Sequence, residues 1–282
     1  MRISADAPRR SVTFDPEAIR AFEHASWQRA AGTYLSSFAN ATAPFIDALL
    51  DAADVGAGAR VLDVACGPGL VASRAVARGA IATGLDFSTA MLAVARARDA
   101  AIRFDEGDAE ALPYADSSFD AVVSNFGIHH VPRPQLALRE AYRVLRQGRR
   151  VAFSFWAERA ENVAWQLLFD AIERHGDAAR SAAPPPGGGF GTTQSCVEAL
   201  REAGFAACTT RTVRAMWRHP DARSLVTALR SGTARMAALI EAQEAAAMPG
   251  ILADIDEHAE RFRDGNHLAV PIAAVIASGM KP

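Results

Sequence analysis

The sequence predicts an α/β protein with a doubly wound, mostly parallel sheet of seven strands. From Arg60 onward, short apolar runs alternate with stretches of helical composition for about a hundred residues, which is typical of parallel strands joined by crossover helices. The first run, Val61 to Val64, is apolar apart from one carboxylate and suits a strand buried on both faces. It breaks into a turn that contains Gly67 and Gly69. A strand, a glycine turn and a helix form half of a nucleotide-binding unit.

The composition limits the classes of partner. Half of the 282 residues are hydrophobic, which allows a substantial core. The 30 basic and 32 acidic residues give a net charge of −2, which argues against nucleic acid as a partner because that affinity depends on cations that neutralise phosphates. Cys66, Cys196 and Cys208 show neither disulfide-like nor metal-like spacing, so no metal is predicted. Because no apolar run approaches the ~18 residues of a membrane helix, we expect an unprocessed cytoplasmic protein without a membrane partner.

Four regions are predicted along the chain. They are a loose N-terminus, a helical cap, a sheet core in two pieces and a helical lid insertion, at residues 1–14, 15–54, 55–218 with 267–282, and 219–266. The strands of the core are placed near 60–66, 81–86, 102–106, 119–126, 150–156, 209–217 and 270–277. Asp15-Pro16 predicts the start of the first helix, as an N-cap followed by proline. The proline- and glycine-rich run 183–191 predicts a linker or a mobile loop.

Two nucleotide cofactors fit the glycine turn. Gly67 to Ala72 satisfies the dinucleotide pattern G-x-G-x-x-G/A, and Asp86 follows Gly67 by 19 residues, near the ~20 expected for an acid that binds ribose. Asp63 favours a different ligand. A carboxylate inside a buried strand needs a partner, which the amine of an amino-acid moiety provides and a dinucleotide does not.

Five motifs then occur in order between Tyr34 and Trp156. They are Asp63-Val64-Ala65-Cys66-Gly67-Pro68-Gly69, Gly84-Leu85-Asp86-Phe87-Ser88, Gly107-Asp108-Ala109-Glu110, the strand Phe119 to Phe126, and the helix and turn Glu140 to Arg149. In these motifs the chain resembles the class I S-adenosylmethionine-dependent methyltransferases, in the small-molecule branch that includes the ubiquinone and menaquinone methylases. Two positions depart from the family pattern. Ala65 replaces the first glycine of D/E-x-G-x-G-x-G, and Gln147-Gly148-Arg149 replaces Pro-Gly-Gly.

The resemblance implies a Rossmann-like methyltransferase fold and S-adenosylmethionine as the cofactor. It also implies that Asp86 accepts hydrogen bonds from both ribose hydroxyls, and that Asp108 and the amide of Ala109 meet adenine. The full set of implied cofactor-binding residues is Tyr34, Asp63, Ala65, Gly67, Gly69, Asp86, Phe87, Met91, Asp108, Ala109 and Asn125. Other interpretations stay open. Asp86 also fits a helix cap, Asp108 a turn, Met91 an ordinary core position and Tyr34 a packing role beneath the lid.

The candidate catalytic residues are His129 and His130. They follow the fourth predicted strand at the carboxyl end of the sheet, where substrates bind in this architecture. One is expected to act as a general base or substrate contact, and the other to be structural. Arg235 suits an anionic substrate group. An aromatic pocket, or alternatively a hydrophobic core, is predicted from Trp27, Phe38, Trp156, Trp165, Trp217 and Met236.

The predicted function is methyl transfer from S-adenosylmethionine to oxygen, nitrogen or carbon of a small aromatic or heterocyclic metabolite. S-adenosylhomocysteine would be released. The Arg-Asn pair of quinone methylases is absent near His129-His130, which argues against a quinone precursor as the substrate. A noncatalytic cofactor-binding subunit is the alternative, and a nicotinamide oxidoreductase is a third hypothesis. The oligomeric state is open, with a homodimer as one option.

Overall fold

We describe a computed structural model of the chain that covers residues 14–181, 183 and 192–282. The predicted loose N-terminus and the predicted linker fall almost entirely on 1–13 and 184–191, which lie outside the described residues. The α-helices are α1 Pro16–Ala30, α2 Tyr34–Ser37, α3 Ala39–Thr42, α4 Ile46–Ala52, α5 Leu70–Ala77, α6 Thr89–Arg98, α7 Pro134–Val144, α8 Val163–His175, α9 Thr193–Glu202, α10 Ala222–Gly232, α11 Arg235–Glu241 and α12 Met248–Ala259. None of these described helices has the length and apolar character needed to span a bilayer.

The strands are β1 Arg60–Val64, β2 Ile81–Asp86, β3 Arg103–Glu106, β4 Phe119–Asn125, β5 Leu145–Trp156, β6 Ala206–His219, β7 Arg263–Asp264 and β8 His267–Met280. They form one sheet in the order β3-β2-β1-β4-β5-β8-β6, with β7 paired to β8. Strands β1 to β5 run parallel, whereas β8 is antiparallel to β5 and β6. The predicted doubly wound, mostly parallel sheet is confirmed. The two-residue β7 is added to the seven predicted strands.

Helices cover both faces of this sheet. Along β1, Val61 packs into one buried cluster together with Leu49 of α4. Its neighbour Leu62 packs into a second cluster together with Leu138 of α7. All four side chains are fully buried. Because successive residues of a strand point to opposite faces, an uninterrupted apolar strand requires cover on both sides, as the sequence of β1 predicted.

Helix α1 begins where the sequence predicted. The Asp15 side chain accepts hydrogen bonds from the backbone amides of Glu17 (3.0 Å) and Ala18 (3.1 Å), and Pro16 occupies the first turn. The next predicted helix begins as a 3-10 turn, Ala43–Phe45, before it continues as α4. Short 3-10 turns also occur at Ile128–His130, Arg159–Glu161 and Glu260–Phe262.

The span 219–266, predicted as a lid, contains α10, α11, α12 and β7 between β6 and β8. Helix α10 packs closely against the N-terminal helices, because a Cβ atom at Gly232 would collide with the Cβ of Phe38. Arg235, the first residue of α11, lines the same cavity as α1. The span therefore lies over the carboxyl ends of the strands, and its movement as a lid stays a prediction.

Candidate active site

A cavity lies at the carboxyl ends of β1, β2 and β4, beneath α1 and α11. The sheet order reverses between β1 and β4, and ligands bind at such a crevice in open α/β sheets. The predicted residues that line it are Tyr34, Asp63, Ala65, Gly67, Asp86, Phe87, Met91, Asp108, Ala109, Asn125, His129 and His130. Gly69 does not line the cavity, because it begins α5 and faces the ring of Phe104 instead.

The turn after β1 depends on left-handed backbone at three residues, Ala65 (φ 54°), Gly67 (φ 52°) and Gly69 (φ 78°). A Cβ atom at Gly69 would lie 2.7 Å from Cζ of Phe104, whereas a Cβ atom at Gly67 would meet no protein atom within 4 Å. Gly67 therefore presents bare backbone to the cavity. Ala65, which replaces a family glycine, retains the glycine-like conformation at a cost of about 1 kcal/mol.

Asp63 is a buried carboxylate with one unsatisfied oxygen. It is 1% exposed, and its Oδ2 accepts a hydrogen bond of 3.1 Å from the amide of Ala72. Its Oδ1 has no hydrogen-bond partner among the described residues. Burial, with a further contribution from the charge of Asp86, raises the pKa of Asp63 to about 8. An ammonium group would satisfy this oxygen and favour the ionised carboxylate, so the site fits an amino-acid moiety.

Asp86, at the end of β2, connects two backbone segments of the site. Its Oδ2 accepts a hydrogen bond of 2.8 Å from the amide of Gly67, and its Oδ1 accepts one of 2.8 Å from the amide of Ser88. Burial raises the pKa of Asp86 to about 6, although these backbone hydrogen bonds oppose the shift. The cap of α6 is the Ser88 hydroxyl, which accepts from the amide of Met91. Asp86 therefore braces the glycine turn at the cavity wall.

Asp108 is held by a turn and by an arginine that sequence reasoning missed. Its Oδ1 accepts from the amide of Glu110 (2.9 Å), and its Oδ2 lies 2.5 Å from Nη1 of Arg20 on α1. Arg20 also contacts Oε2 of Glu110 at 2.9 Å. The turn geometry considered for Asp108 is thus present, and α1 is attached by an ion pair to this end of the cavity.

The two histidines lie in the 3-10 turn after β4, with ring centroids 4.1 Å apart. His129 is mostly enclosed, and burial, with smaller contributions from the charges of His130 and Arg235, lowers the pKa of His129 well below its ordinary value. His130 has a different environment, because its Nδ1 lies 3.1 Å from Oε2 of Glu23. Its ring also packs edge-on against Trp27 at 5.0 Å.

Glu23, which contacts the cavity residues His130, Arg235 and Trp27, is a second residue that sequence reasoning missed. Its side chain is 1% exposed, and its Oε1 lies 2.9 Å from Nη2 of Arg235. Its Oε2 accepts a hydrogen bond of 3.1 Å from Nε1 of Trp27. Although burial opposes ionisation, the charges and hydrogen bonds from His130, Arg235 and Trp27 outweigh it and lower the pKa of Glu23. The sequence signal was a carboxylate on the otherwise small or apolar face of α1.

An aromatic wall forms the other side of the cavity, as predicted from Trp27, Phe38, Trp156, Trp165 and Met236. For Trp217 the alternative interpretation, a position in the hydrophobic core, applies. Trp217 is 1% exposed and packs behind Phe38, with ring centroids 5.4 Å apart. Phe126, which was not predicted, lines the cavity and stacks on Trp156 at 4.1 Å. A wall of this composition suits a flat apolar ligand.

Several polar groups of the lining are already bonded within the protein. The Tyr34 hydroxyl lies 3.1 Å from the Thr42 hydroxyl, and burial raises the pKa of Tyr34 to about 12. Asn125 donates to the carbonyl of Thr42 and accepts from the hydroxyl of Ser154. Met91 packs with Ala30 of α1 in a small buried cluster, so its cavity and core roles coexist. Among residues 14–181, 183 and 192–282, no group of three or more His, Cys, Asp or Glu could hold a metal ion.

Comparison with known proteins gives the family of this region. Residues 62–153 match a family described as a methyltransferase domain. A ubiquinone/menaquinone biosynthesis C-methyltransferase of Roseobacter denitrificans is 42% identical over 144 residues, which are 47% of this chain and 58% of that protein. A malonyl-[acyl-carrier protein] O-methyltransferase of Erwinia pyrifoliae is 42% identical over 123 residues, or 43% of this chain and 47% of that protein. The chain spans about half the length of the curated relatives it matches.

The fold is shared with solved structures. The YcgJ protein of Bacillus subtilis matches with a TM-score of 0.55 and 20% identity, over 84% of this chain and 97% of that one. The fold is the Rossmann-like fold of methyltransferases. Residues 62–153 match the methyltransferase-domain family, and the region is similar to ubiquinone/menaquinone C-methyltransferases. The predicted family and cofactor are confirmed, whereas the roles of single residues stay predictions.

Proposed function

We propose that the protein transfers a methyl group from S-adenosylmethionine to oxygen, nitrogen or carbon of a small aromatic or heterocyclic metabolite. The observation that carries this proposal is that the buried carboxylates of Asp63 and Asp86, the aromatic wall and the two histidines all line the same cavity. Bound S-adenosylmethionine supplies a methyl group activated by its sulfonium, and S-adenosylhomocysteine is the product. The protein's task is then to hold the acceptor in line and to exclude water.

The cofactor would lie along the carboxyl ends of β1 to β3. Asp63 would bind the amine, since its Oδ1 lacks a partner among the described residues. Gly67 would face the methionine part with its backbone, and Asp86 would bind the ribose hydroxyls. Asp108 and the amide of Ala109 would meet adenine. The remaining contacts would come from Tyr34, Ala65, Phe87, Met91 and Asn125, which line the same cavity.

The aromatic wall supports a flat acceptor. Trp27, Trp156 and Trp165 line the cavity, and Trp27 packs edge-on against His130. Aromatic rings favour offset or edge-on contact with another ring. The two named relatives are a quinone C-methyltransferase and a malonyl-[acyl-carrier protein] O-methyltransferase. Their acceptors differ from each other, so the proposal for this chain rests on its own cavity lining.

Calorimetry of S-adenosylmethionine and S-adenosylhomocysteine, with NAD as the control, tests the first half of the proposal. We expect both sulfur ligands to bind at micromolar concentration and NAD to give no heat. A folded protein that binds only NAD would overturn the assignment and favour the nicotinamide oxidoreductase.

A screen of phenols, quinols and nitrogen heterocycles for release of S-adenosylhomocysteine tests the second half. We expect turnover with at least one flat acceptor, and a ~10²-fold loss of turnover on replacement of the catalytic base by alanine in His129→Ala or His130→Ala. Cofactor binding without turnover across the panel would favour the noncatalytic subunit. The oligomeric state, which the sequence leaves open, and the expected cytoplasmic location are independent of both assays.

A further inference from the structure

We infer that Glu23 is a positioning residue, which orients His130 so that its Nε2 takes a proton from the methyl acceptor. This inference rests on the proposed function and decides between the two candidate histidines. It also narrows the acceptor to one that carries a proton on the atom to be methylated.

The contact between the two side chains favours one tautomer of the ring. Oε2 of Glu23 lies 3.1 Å from Nδ1 of His130, an ion-pair distance without the angle of a hydrogen bond. The negative charge of an ionised carboxylate at this distance repels a lone pair and attracts an N–H, so it favours the hydrogen on Nδ1. A neutral imidazole has one N–H and one lone pair, so the lone pair lies on Nε2. A free histidine has no such constraint, and here a residue of α1 imposes it on a residue that follows β4.

Glu23 is itself held in one orientation. Its Oε1 lies 2.9 Å from Nη2 of Arg235, and its Oε2 accepts from Nε1 of Trp27 at 3.1 Å. Oε1 thus forms an ion pair and Oε2 a hydrogen bond, and the side chain is 1% exposed. These donors keep the carboxylate ionised despite its burial, which is the state that Nδ1 of His130 requires.

The two histidines have different charged neighbours. Glu23 faces the ring of His130 from α1, and Arg235 is paired with that carboxylate from α11. His129 adjoins the ring in the same turn. A proton on Nε2 of His130 would give an imidazolium directly beside a carboxylate. The charges that act on His129 within the described part of the chain are those of His130 and Arg235, and no carboxylate is among them. Burial keeps His129 neutral by lowering its pKa.

The acceptor class follows from the proton balance. A phenolic O–H or a ring N–H gives its proton to Nε2 and keeps the electron pair that forms the new bond to the methyl carbon. The bond from that carbon to sulfur breaks, and its electron pair stays on the sulfur of S-adenosylhomocysteine. The two arginines of the cavity lining, Arg20 and Arg235, are each paired with carboxylates, so their charges are already neutralised. The site therefore favours an uncharged acceptor over the anionic group first expected for Arg235.

Nitrogen NMR of protein labelled at the histidine rings tests the tautomer without any substrate. In the wild-type protein we expect the His130 ring to carry its proton on Nδ1, with the signal assigned by its loss in His130→Asn. In Glu23→Gln the amide NH₂ must replace one carboxylate oxygen. The negative charge that favours the hydrogen on Nδ1 is lost, so we expect the fraction of the ring that carries its hydrogen on Nε2 to rise. Glu17→Gln, an exposed carboxylate on the same helix, is the matched control and should leave the tautomer unchanged.

Turnover with a phenol accepted in the screen gives a second readout. We expect Glu23→Gln to lower kcat by about tenfold or more, because the base is misoriented, while the Kd of S-adenosylhomocysteine stays within twofold and Glu17→Gln behaves as wild type. A wild-type ring protonated on Nε2 at neutral pH overturns the inference even if Glu23→Gln fails to fold. Unchanged kcat in a folded Glu23→Gln does so too. If no acceptor is turned over, the proposed function fails, and the tautomer alone still decides the role of Glu23.

Discussion

Binding of the cofactor should release a proton from Asp63. The pKa of this buried carboxyl group is raised from 3.8 to about 8, so roughly 90% of the ligand-free protein carries the proton at pH 7. The ammonium of the ligand favours the ionised form and lowers that pKa. Affinity should therefore rise with pH toward 8, as Asp63 ionises, and fall again above that pH as the α-amine of the ligand loses its proton. Each pH unit below 8 should cost about 1.4 kcal/mol of binding free energy.

The expected net release at pH 7 is about 0.9 proton per ligand. Asp86, whose pKa is about 6, adds roughly 0.1 proton if binding keeps it ionised, and the ligand's own α-amine takes up a similar fraction. The measurement is calorimetry of S-adenosylhomocysteine in buffers of different ionisation enthalpy, because the slope of the observed heat gives the number of protons released.

Two controls isolate Asp63. In Asp63→Asn, release should fall to nearly zero and binding should weaken by about 1.5–3 kcal/mol, the range for a hydrogen bond to a charged group. Methylthioadenosine lacks the amino-acid part, so it should release only about 0.1 proton from the wild-type protein. Equal release from wild type and Asp63→Asn would refute this account, as would wild-type release near zero.

Three further substitutions test neighbouring features. Asp86→Ala should weaken the binding of S-adenosylmethionine by about 1.5–3 kcal/mol, as measured by calorimetry. Unchanged affinity would remove Asp86 from the site. Ala65→Gly should raise the free energy of unfolding in urea by up to about 1 kcal/mol, because it relieves left-handed backbone at φ 54°; a loss of stability would contradict this. Gly84→Ala should lower the free energy of unfolding by about 1–3 kcal/mol, since the new Cβ would lie 2.6 Å from Cδ1 of Phe104. A neutral effect would show that the ring moves aside.

The sequence was sufficient to predict site residues whose position depends on the strand or turn that carries them. The glycine turn, Asp63 and Asp86 were predicted because strand composition places them at the carboxyl ends of adjacent parallel strands, which meet at one edge of the sheet. The same reasoning brought His129 and His130 to the cavity. Residues fixed by long-range packing were harder to predict. The sequence did not decide whether Trp217 lines the pocket or lies in the core. The path of β6 places its side chain behind Phe38.

Arg20 and Glu23 show why the cover of the site was missed. Arg20 meets Asp108 across 88 positions of sequence, and Glu23 meets Arg235 on a different element altogether. The sequence of α1 does not predict which surface of the protein the helix packs against. An ionisable residue on its buried face predicts only that some partner exists. The identity of that partner follows from the docking of α1 onto the sheet, which is a tertiary property.

The position of β8 has a consequence for how the chain is made. β8 comprises His267–Met280, yet it lies between β5 and β6 and is the only strand paired with β6 within the described residues. During synthesis, β1 to β5 can assemble while β6 is still unpaired and exposes its backbone donors and acceptors. The sheet is completed only when residues up to 280 have left the ribosome. We therefore expect nascent chains stalled before β8 to be protease-sensitive at β6, and this last pairing to be a late, non-local step of folding.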